Sequence, residues 1–272
     1  MLRALLLDSV ASAATCPYTS LGGTSILAGD ATCGSDHWCL LRPSDCTRLQ
    51  YTYHATDDLF SYLGALGNLT TYTNTELTVM KSNRIDLSRM VLPPTLQALS
   101  FKHVASLSSF SDLNPSSWSE LTSLSLENCS LSRLPLPLPS NVSTLKVVYN
   151  AISSLADLPA QVTFLDVGRN NVSRVSNANW SSVTSVDLSS NPLRTFANVQ
   201  FSSRLVYFNI EFCQIDNFVV DTPTFAALNT LASAGDTFDA DGVKRPVGYR
   251  VSENIDTNPA ACAAVRGQIH KL

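Results

Sequence analysis

Charge is scarce in this sequence: Asp, Glu, Lys and Arg make up 15% of the 272 residues, and the net charge is −4. A protein that binds nucleic acid needs a basic stripe to neutralise phosphates, so the composition excludes a general nucleic-acid partner. No run of 18 apolar residues occurs after the N-terminal segment, so the sequence predicts no transmembrane helix there.

Catalytic signatures are missing as well. The sequence contains no His-Glu-x-x-His, Gly-x-Ser-x-Gly or phosphate-loop motif and no protein-kinase motif. The four histidines are scattered without the spacing of a metal site: His37, His54, His103 and His270. We therefore expect that this chain is not an enzyme and that it binds no cofactor or metal.

One spacing of apolar residues is present instead, and it occurs four times at steps of 21, 20 and 21 residues. The pattern reads L-x-x-L-x-L-x-x-[N/C]-x-L. Its copies are Leu121, Leu124, Leu126, Cys129 and Leu131; Val142, Leu145, Val147, Asn150 and Ile152; Val162, Leu165, Val167, Asn170 and Val172; and Val183, Val186, Leu188, Asn191 and Leu193. This pattern is identified as the leucine-rich repeat.

The repeat predicts the fold. Alternating apolar residues such as Leu124 and Leu126 form a short strand, and stacked copies share one core because a single strand cannot bury its apolar face. Repeats of 20–22 residues leave little room for helices on the opposite side. We predict an α/β-type solenoid: a short-repeat horseshoe with a parallel concave sheet and a mostly extended convex side. The alternating Leu and Pro residues of 134–139 are expected to be a convex segment rather than a proline-rich ligand.

A polar ladder is expected where the chain turns out of each strand. An Asn amide both donates and accepts, so it can satisfy backbone groups of adjacent turns inside the stack. A small buried thiol fits the same position, so two cysteines there are expected to be free. The predicted ladder consists of Cys129, Asn150, Asn170, Asn191 and Cys213.

Poorer copies extend the array to about six or seven repeats in residues 75–235. Downstream, a fifth copy is formed by Leu205, Phe208, Ile210, Cys213 and Ile215, and a weak one is expected at Phe225, Leu228 and Leu231. Upstream, one degenerate copy holds Leu96, Leu99 and Phe101, and an earlier one holds Met80, Asn83 and Ile85. Terminal repeats are atypical because they cap the stack.

The N-terminus resembles a secretory signal peptide over residues 1–14, with Arg3, an apolar run and a small-residue cleavage site. Asp8 interrupts that run, and an ordinary N-terminal helix is the alternative. A cysteine-rich cap is expected over residues 15–74. Its four cysteines predict two disulfides with three possible connectivities, and a zinc site with His37 is the rival: Cys16, Cys33, Cys39 and Cys46. Asp57 or Asp58 is expected to begin a short helix that ends near Leu66.

Five Asn-x-Ser/Thr sequons suggest a glycoprotein, although we do not expect all five to be modified: Asn68, Asn128, Asn141, Asn171 and Asn179. Residues 236–272 are expected to be an incomplete C-terminal capping region. Cys262 has no obvious partner in the sequence, so its partner is expected beyond Leu272, or else it is a free thiol.

A family resemblance follows from the Cys16-Pro17-Tyr18 start, the four-cysteine cap, the short repeats and the tail from Cys262 to Leu272. The chain resembles leucine-rich-repeat ectodomains of oomycete secreted proteins and of tyrosine-kinase-like receptor kinases. The resemblance implies a protein that is secreted or lies on the outer face of the plasma membrane. In such receptors a second tail cysteine, a membrane helix and a kinase domain follow, and this sequence contains none of them.

Function is expected on the concave face, where a protein, peptide or glycan ligand would bind. Aromatic residues and arginine are enriched at such surfaces. The predicted binding set is Lys146, Val148, Tyr149, Phe164, Asp166, Arg169, Asp187, Tyr207, Glu211 and Phe212. Lys146, Asp166 and Asp187 are expected to form a cross-strand charge row, and the two aspartates are interpreted as a solvated polar ladder rather than an acid–base pair.

Two alternatives to a secreted recognition module stay open. The first is that the chain is the truncated ectodomain of a membrane receptor-like protein kinase, which predicts further sequence beyond Leu272 and an anchor there. A structural or decoy secreted protein predicts instead that substitutions on the concave face have no measurable effect on binding.

Overall fold

The structure is a computed structural model that describes residues 16–21, 25–50, 59–108, 118, 120–134, 137–238, 244–252 and 259–264. The expected signal peptide, residues 1–14, lies outside the described residues. So does the side chain of Cys262, on which the expectation of a missing partner depends. None of the helices in the described part of the chain combines the length and the apolar character of a membrane crossing.

A ten-stranded sheet, the long sheet, runs through the molecule, and its strands are numbered in chain order. From one edge to the other they are β3 (Leu59–Ser61), β5 (Glu76–Ser82), β7 (Ala98–Val104), β9 (Ser123–Glu127), β10 (Thr144–Lys146), β11 (Phe164–Asp166), β13 (Ser185–Asp187), β15 (Tyr207–Asn209), β18 (Lys244–Arg250) and β17 (Gly235–Phe238). All neighbours pair in parallel except β17 and β18. The predicted parallel-sheet solenoid is therefore confirmed.

Two smaller sheets lie on the return segments. The first consists of β1 (Ile26–Ala28), β2 (Cys39–Leu41), β4 (Ala65–Leu66), β6 (Ile85–Asp86) and β8 (Leu107–Ser108). The second consists of β12 (Arg174–Ser176), β14 (Thr195–Ala197) and β16 (Asn217–Val219). The helices of the described residues are a 3-10 turn at Ala31–Cys33, α1 (Thr222–Asn229) and α2 (Pro259–Ala264).

The core follows the repeat. Leu145 pairs in register with Leu124 and Leu165, and each of these side chains is fully buried. One continuous cluster of buried residues extends from Leu27 to Leu228, as expected when each turn buries its apolar face against the next. Leu134 and Leu138 belong to this cluster, so the Leu-Pro run contributes to the core.

The cap contains two disulfides, as predicted, and they join Cys16 to Cys46 and Cys33 to Cys39. All four thiols are thereby consumed, so the zinc alternative is wrong. The longer loop, with a sequence separation of 30, is the larger restriction on the unfolded chain, worth about 3–4 kcal/mol in the loop-entropy description.

The helix expected between Asp57 and Leu66 is wrong. Its described residues form β3 and β4, and Phe60 is fully buried where β3 pairs with β5. This short segment forms a strand despite its N-cap residue, because the edge of β5 provides backbone hydrogen bonds and the core provides an apolar environment for Phe60.

The register expected for the first upstream repeat is also wrong at two positions. Leu77 and Val79 point into the core, Ser82 takes the ladder position, and Met80 and Asn83 lie outside the core. Only Ile85 is buried as expected. In a strand, a shift of one residue exchanges the inward and outward faces. Taking Met80 instead of Val79 as an inward residue therefore shifted the predicted register of this copy by one residue.

The weak repeat expected at Phe225 is wrong because this segment is α1. Asp221 caps the helix by accepting from the Thr224 N–H at 2.8 Å, and Pro223 lies in its first turn. The buried Thr224 hydroxyl donates to the Val199 carbonyl, which ties the helix to the stack. The strand that follows β15 in the long sheet is β18, 35 residues further along the chain than the end of β15 (Asn209 to Lys244).

Candidate functional site

The outer face of the long sheet is formed by the side chains that alternate with the buried ones. In β13, for example, Val186 points into the core while Ser185 and Asp187 lie on the outer face. Parallel pairing then aligns the outer residues of successive strands in rows across the sheet. These rows bring together residues that are 20–41 positions apart in the sequence.

One of the rows, the charged row, contains four ionisable side chains. Strand pairing places its five members next to one another in this order: Lys146, Asp166, Asp187, Asn209 and Arg250. Neighbouring strands are about 4.8 Å apart, so two carboxylates lie at the centre with one cation on each side. The expected alignment of Lys146, Asp166 and Asp187 is thus present in the register of the strands.

Each acidic side chain is held by the backbone two residues further on. Asp166 Oδ1 accepts from the Gly168 N–H at 3.1 Å, and Asp187 Oδ1 accepts from the Ser189 N–H at 2.9 Å. Asp187 Oδ2 also accepts from Asn209 Nδ2 at 2.7 Å. These bonds orient the carboxylates, and the second oxygen of Asp166 has no hydrogen-bond donor among the described residues.

Burial changes the electrostatics of this row. Loss of solvent, and after it the charge of Asp187, raises the pKa of Asp166 to about 6, while the Gly168 N–H and Lys146 act in the opposite direction. Burial and the Asp187 charge likewise raise the pKa of Tyr207 to about 12. The interpretation of the two aspartates as a well-solvated ladder does not describe Asp166, which carries a charge that the fold compensates poorly.

This raised pKa predicts a pH dependence of stability. The folded state holds the Asp166 proton more tightly than the unfolded state, so this group lowers stability as the pH rises from about 4 to about 6. Asp166→Asn keeps an acceptor for the Gly168 N–H and removes the charge. We expect it to raise the free energy of unfolding by about 1–2 kcal/mol at pH 7 and to change it little at pH 4.

Urea unfolding at the two pH values measures this difference. Asp157→Asn is the matched control because Asp157 is exposed, and it should stay within about 0.5 kcal/mol of the parent at both values. A loss of stability in Asp166→Asn at pH 7 would mean that the charged form of Asp166 is well compensated in the folded state.

A second feature, the exit ridge, lies at or just after the ends of eight of the ten strands of the long sheet, β17 and β18 being the two without a member. Its eight members have left-handed backbone angles, with φ between 53° and 60°. They are Tyr62, Lys81, His103, Asn128, Tyr149, Arg169, Ser190 and Phe212. Residues other than glycine rarely adopt this region, and each instance raises the free energy by roughly 1 kcal/mol.

Contacts between turns compensate for this strain. The Tyr149 N–H donates to the Gly168 carbonyl at 3.2 Å, the Arg169 N–H to Ser189 at 2.8 Å and the Ser190 N–H to Glu211 at 2.8 Å. The left-handed angle is what aims each N–H at the next turn. Every ridge side chain is therefore held at a defined angle to the sheet.

Large side chains on the ridge are exposed. Phe212 is 70% exposed, Tyr62 61% and Tyr149 48%. The guanidinium carbon of Arg169 lies 4.8 Å from the centre of the Tyr149 ring, a cation–π contact. Next along the ridge, Asn128 Nδ2 lies 3.0 Å from His103 Nδ1. The ridge thus presents ordered aromatic and basic groups to solvent.

The asparagine ladder lies directly behind the ridge. Asn170 donates through Nδ2 to the carbonyls of Val147, Val167 and Gly168, and its Oδ1 accepts from the Ile152 N–H at 3.0 Å. Asn150 and Asn191 make equivalent bonds one turn to either side.

Cys129 and Cys213 occupy the same position and are free thiols that donate to backbone carbonyls. Burial raises the pKa of Cys129 to about 11, so its thiol stays protonated at neutral pH.

The ten residues expected to bind a ligand occupy four parallel rows: the charged row, the rows on either side of it, and the exit ridge. Phe164 and Tyr207 precede the charged row, Val148 and Glu211 follow it, and Tyr149, Arg169 and Phe212 belong to the exit ridge. Tyr207 is almost fully buried, which differs from the exposed role expected for it.

Sequence reasoning missed several members of these rows. Asn209 occupies the same repeat position as Asp187, 22 residues later, and could have been found from the period. Arg250 could not, because its strand lies outside the repeat pattern, yet it pairs with Asn209 and lies 3.9 Å from Glu211. Tyr62 and Lys81 were missed because their repeats were not recognised in the correct register. His103 lies in a copy that was aligned correctly, two residues after Phe101, and could have been found from the period.

The sequon asparagines lie at different depths. Asn128, Asn141, Asn171 and Asn179 are exposed, while Asn68 is half-buried and accepts from the Thr70 N–H at 3.0 Å. Asn128 is part of the exit ridge, so a glycan there would cover the middle of the ridge.

Comparison with known proteins adds no assignment: no protein-family profile matches the chain, and no curated protein matches it significantly. The class that the structure itself defines is a parallel-sheet solenoid with a disulfide-bonded N-terminal cap.

Proposed function

We propose that this chain is an extracellular leucine-rich-repeat recognition module that binds a protein, peptide or glycan ligand on the outer face of its long sheet. The observation that carries the proposal is the exit ridge, where large aromatic and basic side chains stay exposed on a strained and tightly hydrogen-bonded backbone. Strain of this kind concentrates at sites of function.

The assignment to leucine-rich repeats is supported by the agreement between sequence period and hydrogen bonding. The 20–22-residue spacing and the amide bonds of Asn150, Asn170 and Asn191 describe the same repeating unit. In such solenoids the extended sheet face is a large and rigid surface for binding.

An extracellular location is supported by the two disulfides of the cap, since disulfides form and persist in oxidising compartments. The exposed sequon asparagines fit the same location. These features apply equally to a secreted protein and to the ectodomain of a membrane receptor. The mass of the native protein separates these two: a glycoprotein near 30 kDa favours the first, and a much larger membrane-bound species favours the second.

Rigid exposed aromatic residues are the side chains that carry most of the free energy at protein interfaces. Tyr149 and Phe212 meet this description, and Arg169 stacks on Tyr149 within the same ridge. Because the backbone already holds these groups in place, a ligand need not order them on binding, which favours affinity.

The test uses the purified, tagged chain on a biosensor, exposed to fractionated extracellular proteins and glycans of the cells that produce it. The double variant Tyr149→Ala, Phe212→Ala should weaken saturable binding at least tenfold, since each truncation of an interface anchor is worth about 1–2 kcal/mol. Its thermal unfolding should match that of the parent because both side chains are exposed.

Val91→Ala is the control, because Val91 is an exposed apolar residue that bridges to Asn68 away from the long sheet. It should bind like the parent. Unchanged affinity in the double variant, or an equal loss in Val91→Ala, would contradict a binding role for the ridge and would favour a structural protein without a dedicated ligand.

A further inference from the structure

We propose that the exit ridge binds an extended acidic polysaccharide, with sugar rings stacked on its exposed aromatic side chains and sugar carboxylates paired with its cations. This proposal rests on the proposed function and deepens it by naming the class of ligand. The length, composition, charge and backbone bonding of the ridge support it.

The first property is the length of the ridge. Its eight members lie at the ends of eight neighbouring strands that are about 4.8 Å apart, so the ridge is roughly 34 Å long. Tyr62 and Tyr149 are four strand spacings apart, roughly 19 Å, and Tyr149 and Phe212 are three spacings apart, roughly 14 Å. An extended chain that crosses the strands fits this line of rings.

The second property is the composition of the ridge. Three of its members are exposed aromatic residues, and none of the eight is aliphatic or acidic. The C–H groups on the face of a sugar ring pack against the electron-rich face of an aromatic ring. Sugar hydroxyl oxygens accept hydrogen bonds, and each of the other five ridge side chains can donate one: Lys81, His103, Asn128, Arg169 and Ser190.

The third property is the sign of the charge. Lys81 and Arg169 are exposed cations, and neither has an ion pair with a carboxylate of the described residues. Glu127 and Glu211, which directly precede ridge members, lie 4.0 Å and 3.9 Å from a basic side chain. The unpaired charges of the ridge are thus positive in a chain of net charge −4, and they complement the carboxylates of an acidic sugar.

The cation–π contact makes one of these cations directional. Arg169 stacks on Tyr149 through a face of its guanidinium, so the N–H groups at the edge can pair with both oxygens of one carboxylate. The nearest acidic groups of the charged row, Asp166 and Asp187, lie three residues before ridge members, roughly 10 Å along the strand. A cation on each side of that pair offsets part of its repulsion on an anion at the ridge.

The fourth property is that the backbone of the ridge is already bonded. The Asn128 N–H donates to the Val148 carbonyl at 3.0 Å, and the Phe212 N–H donates to the Ser252 hydroxyl at 2.7 Å. A peptide that binds as an added strand needs free backbone groups. The ridge offers side chains instead, which favours a polysaccharide that pairs through hydroxyls and carboxylates over an extended peptide.

The experiment measures the binding of galacturonate and mannuronate oligomers to the full chain, from which N-glycans have been removed so that none covers the ridge at Asn128. Methyl esters of the same oligomers keep the sugar rings and lose the charge, while poly-glutamate keeps the charge without the rings. At least one of the two uronates should bind saturably, and its methyl ester and poly-glutamate should bind at least tenfold more weakly. Binding should weaken as the salt concentration rises, because exposed charges are screened.

Charge variants locate the site. The double variant Lys81→Gln, Arg169→Gln should weaken uronate binding at least fivefold and leave the weak binding of the methyl ester unchanged. The control is Arg194→Gln, Arg204→Gln, which removes two exposed cations from the return segments and gives the same net charge. This control should bind the uronate like the parent.

A ring variant tests the extended geometry. Tyr62→Ala removes an exposed ring at one end of the ridge. It should weaken the binding of oligomers long enough to reach from Tyr149 to position 62, and it should not affect shorter ones. An equal loss for short and long oligomers would contradict a ligand that lies along the ridge.

Equal binding of uronate and methyl ester would overturn the inference, as would equal binding of poly-glutamate or an equal loss in the two charge variants. If neither uronate binds while the Tyr149, Phe212 variant loses its binding to extracellular fractions, this inference fails and the proposed function stands. If a uronate binds but no ridge variant affects it, the sugar lies elsewhere and the inference fails. The proposed function fails as well if the Tyr149, Phe212 variant also keeps its binding to those fractions.

Discussion

Phe196→Ala is expected to lower the free energy of unfolding by about 3–5 kcal/mol, the largest effect we predict for a single substitution. Phe196 is fully buried, and four aromatic rings surround it: Trp180, Phe201, Phe208 and Phe218. Its ring stacks on Phe218 at 5.1 Å and on Phe201 at 6.1 Å, and meets Phe208 edge to face at 5.6 Å. Rings from three successive turns would lose their common neighbour.

Chemical unfolding monitored by circular dichroism measures the loss, and Phe212→Ala is the matched control. It removes the same side chain from a position that is 70% exposed, so its effect should stay within about 0.5 kcal/mol. Phe196→Ala should therefore lower stability, whereas Phe212→Ala should leave stability nearly unchanged and weaken ligand binding. A small effect of Phe196→Ala would mean that the neighbouring rings close the cavity.

Asn170→Ala is expected to lower the free energy of unfolding by about 2–3 kcal/mol. The Ile152 N–H loses its acceptor, Asn170 Oδ1, and is left in the interior, where an unpaired donor is unfavourable by about 1–3 kcal/mol. The carbonyls that Asn170 bonds are protected in part. Val147 also accepts from Asn150, Val167 also accepts from Asn191, and Gly168 also accepts from the Tyr149 N–H.

Asn171→Ala is the control for this substitution, because Asn171 is exposed and its side chain has no described bond to the ladder. It should change stability by less than about 0.5 kcal/mol. Hydrogen exchange should show faster opening of the turns on both sides of position 170 in Asn170→Ala. Uniform exchange across the chain would show that the ladder does not join neighbouring turns.

The shared carbonyls predict that ladder substitutions are not additive. In the double variant Asn150→Ala, Asn170→Ala the Val147 carbonyl loses both of its amide donors. The loss in the double variant should therefore exceed the sum of the single losses by about 1 kcal/mol. Simple additivity would argue that each amide acts alone.

These core substitutions and the face substitutions concern different layers of the same strands. Val186 contributes to the core, while Ser185 and Asp187, on either side of it, belong to the outer face. Substitutions on the outer face can thus alter ligand binding with little effect on the packing of the core. Asp166 is the exception, because its raised pKa lowers stability at neutral pH on the same face where we propose ligand binding.

The sequence alone was sufficient for the periodic part of the chain. From Leu121 to Leu193 the apolar spacing identified the strands, the inward residues and the ladder positions, because each residue there repeats the environment of another 20 or 21 positions away. The even number of cap cysteines predicted two disulfides in the same way.

The features that do not follow the repeat spacing were decided by the tertiary structure. The pairing of the four cysteines depends on which of them the antiparallel pair β1 and β2 brings together, and sequence spacing does not contain that information. The same applies to Arg250, which reaches the charged row only because β18 pairs with β15. Long-range pairing also decided that Leu59–Ser61 is a strand, against its local helix signal.

The chemistry of the outer face belongs to this second group. The sequence determined that Asp166 and Asp187 would lie side by side, because repeat spacing sets strand register. Only the folded chain decided that burial would raise the pKa of Asp166 and that bulky residues would adopt left-handed angles along one ridge. The same holds for the Ser185 hydroxyl, which is buried and has no hydrogen-bond partner among the described residues. Periodicity is local and can be read from spacing, whereas desolvation depends on every neighbour that the stack brings near.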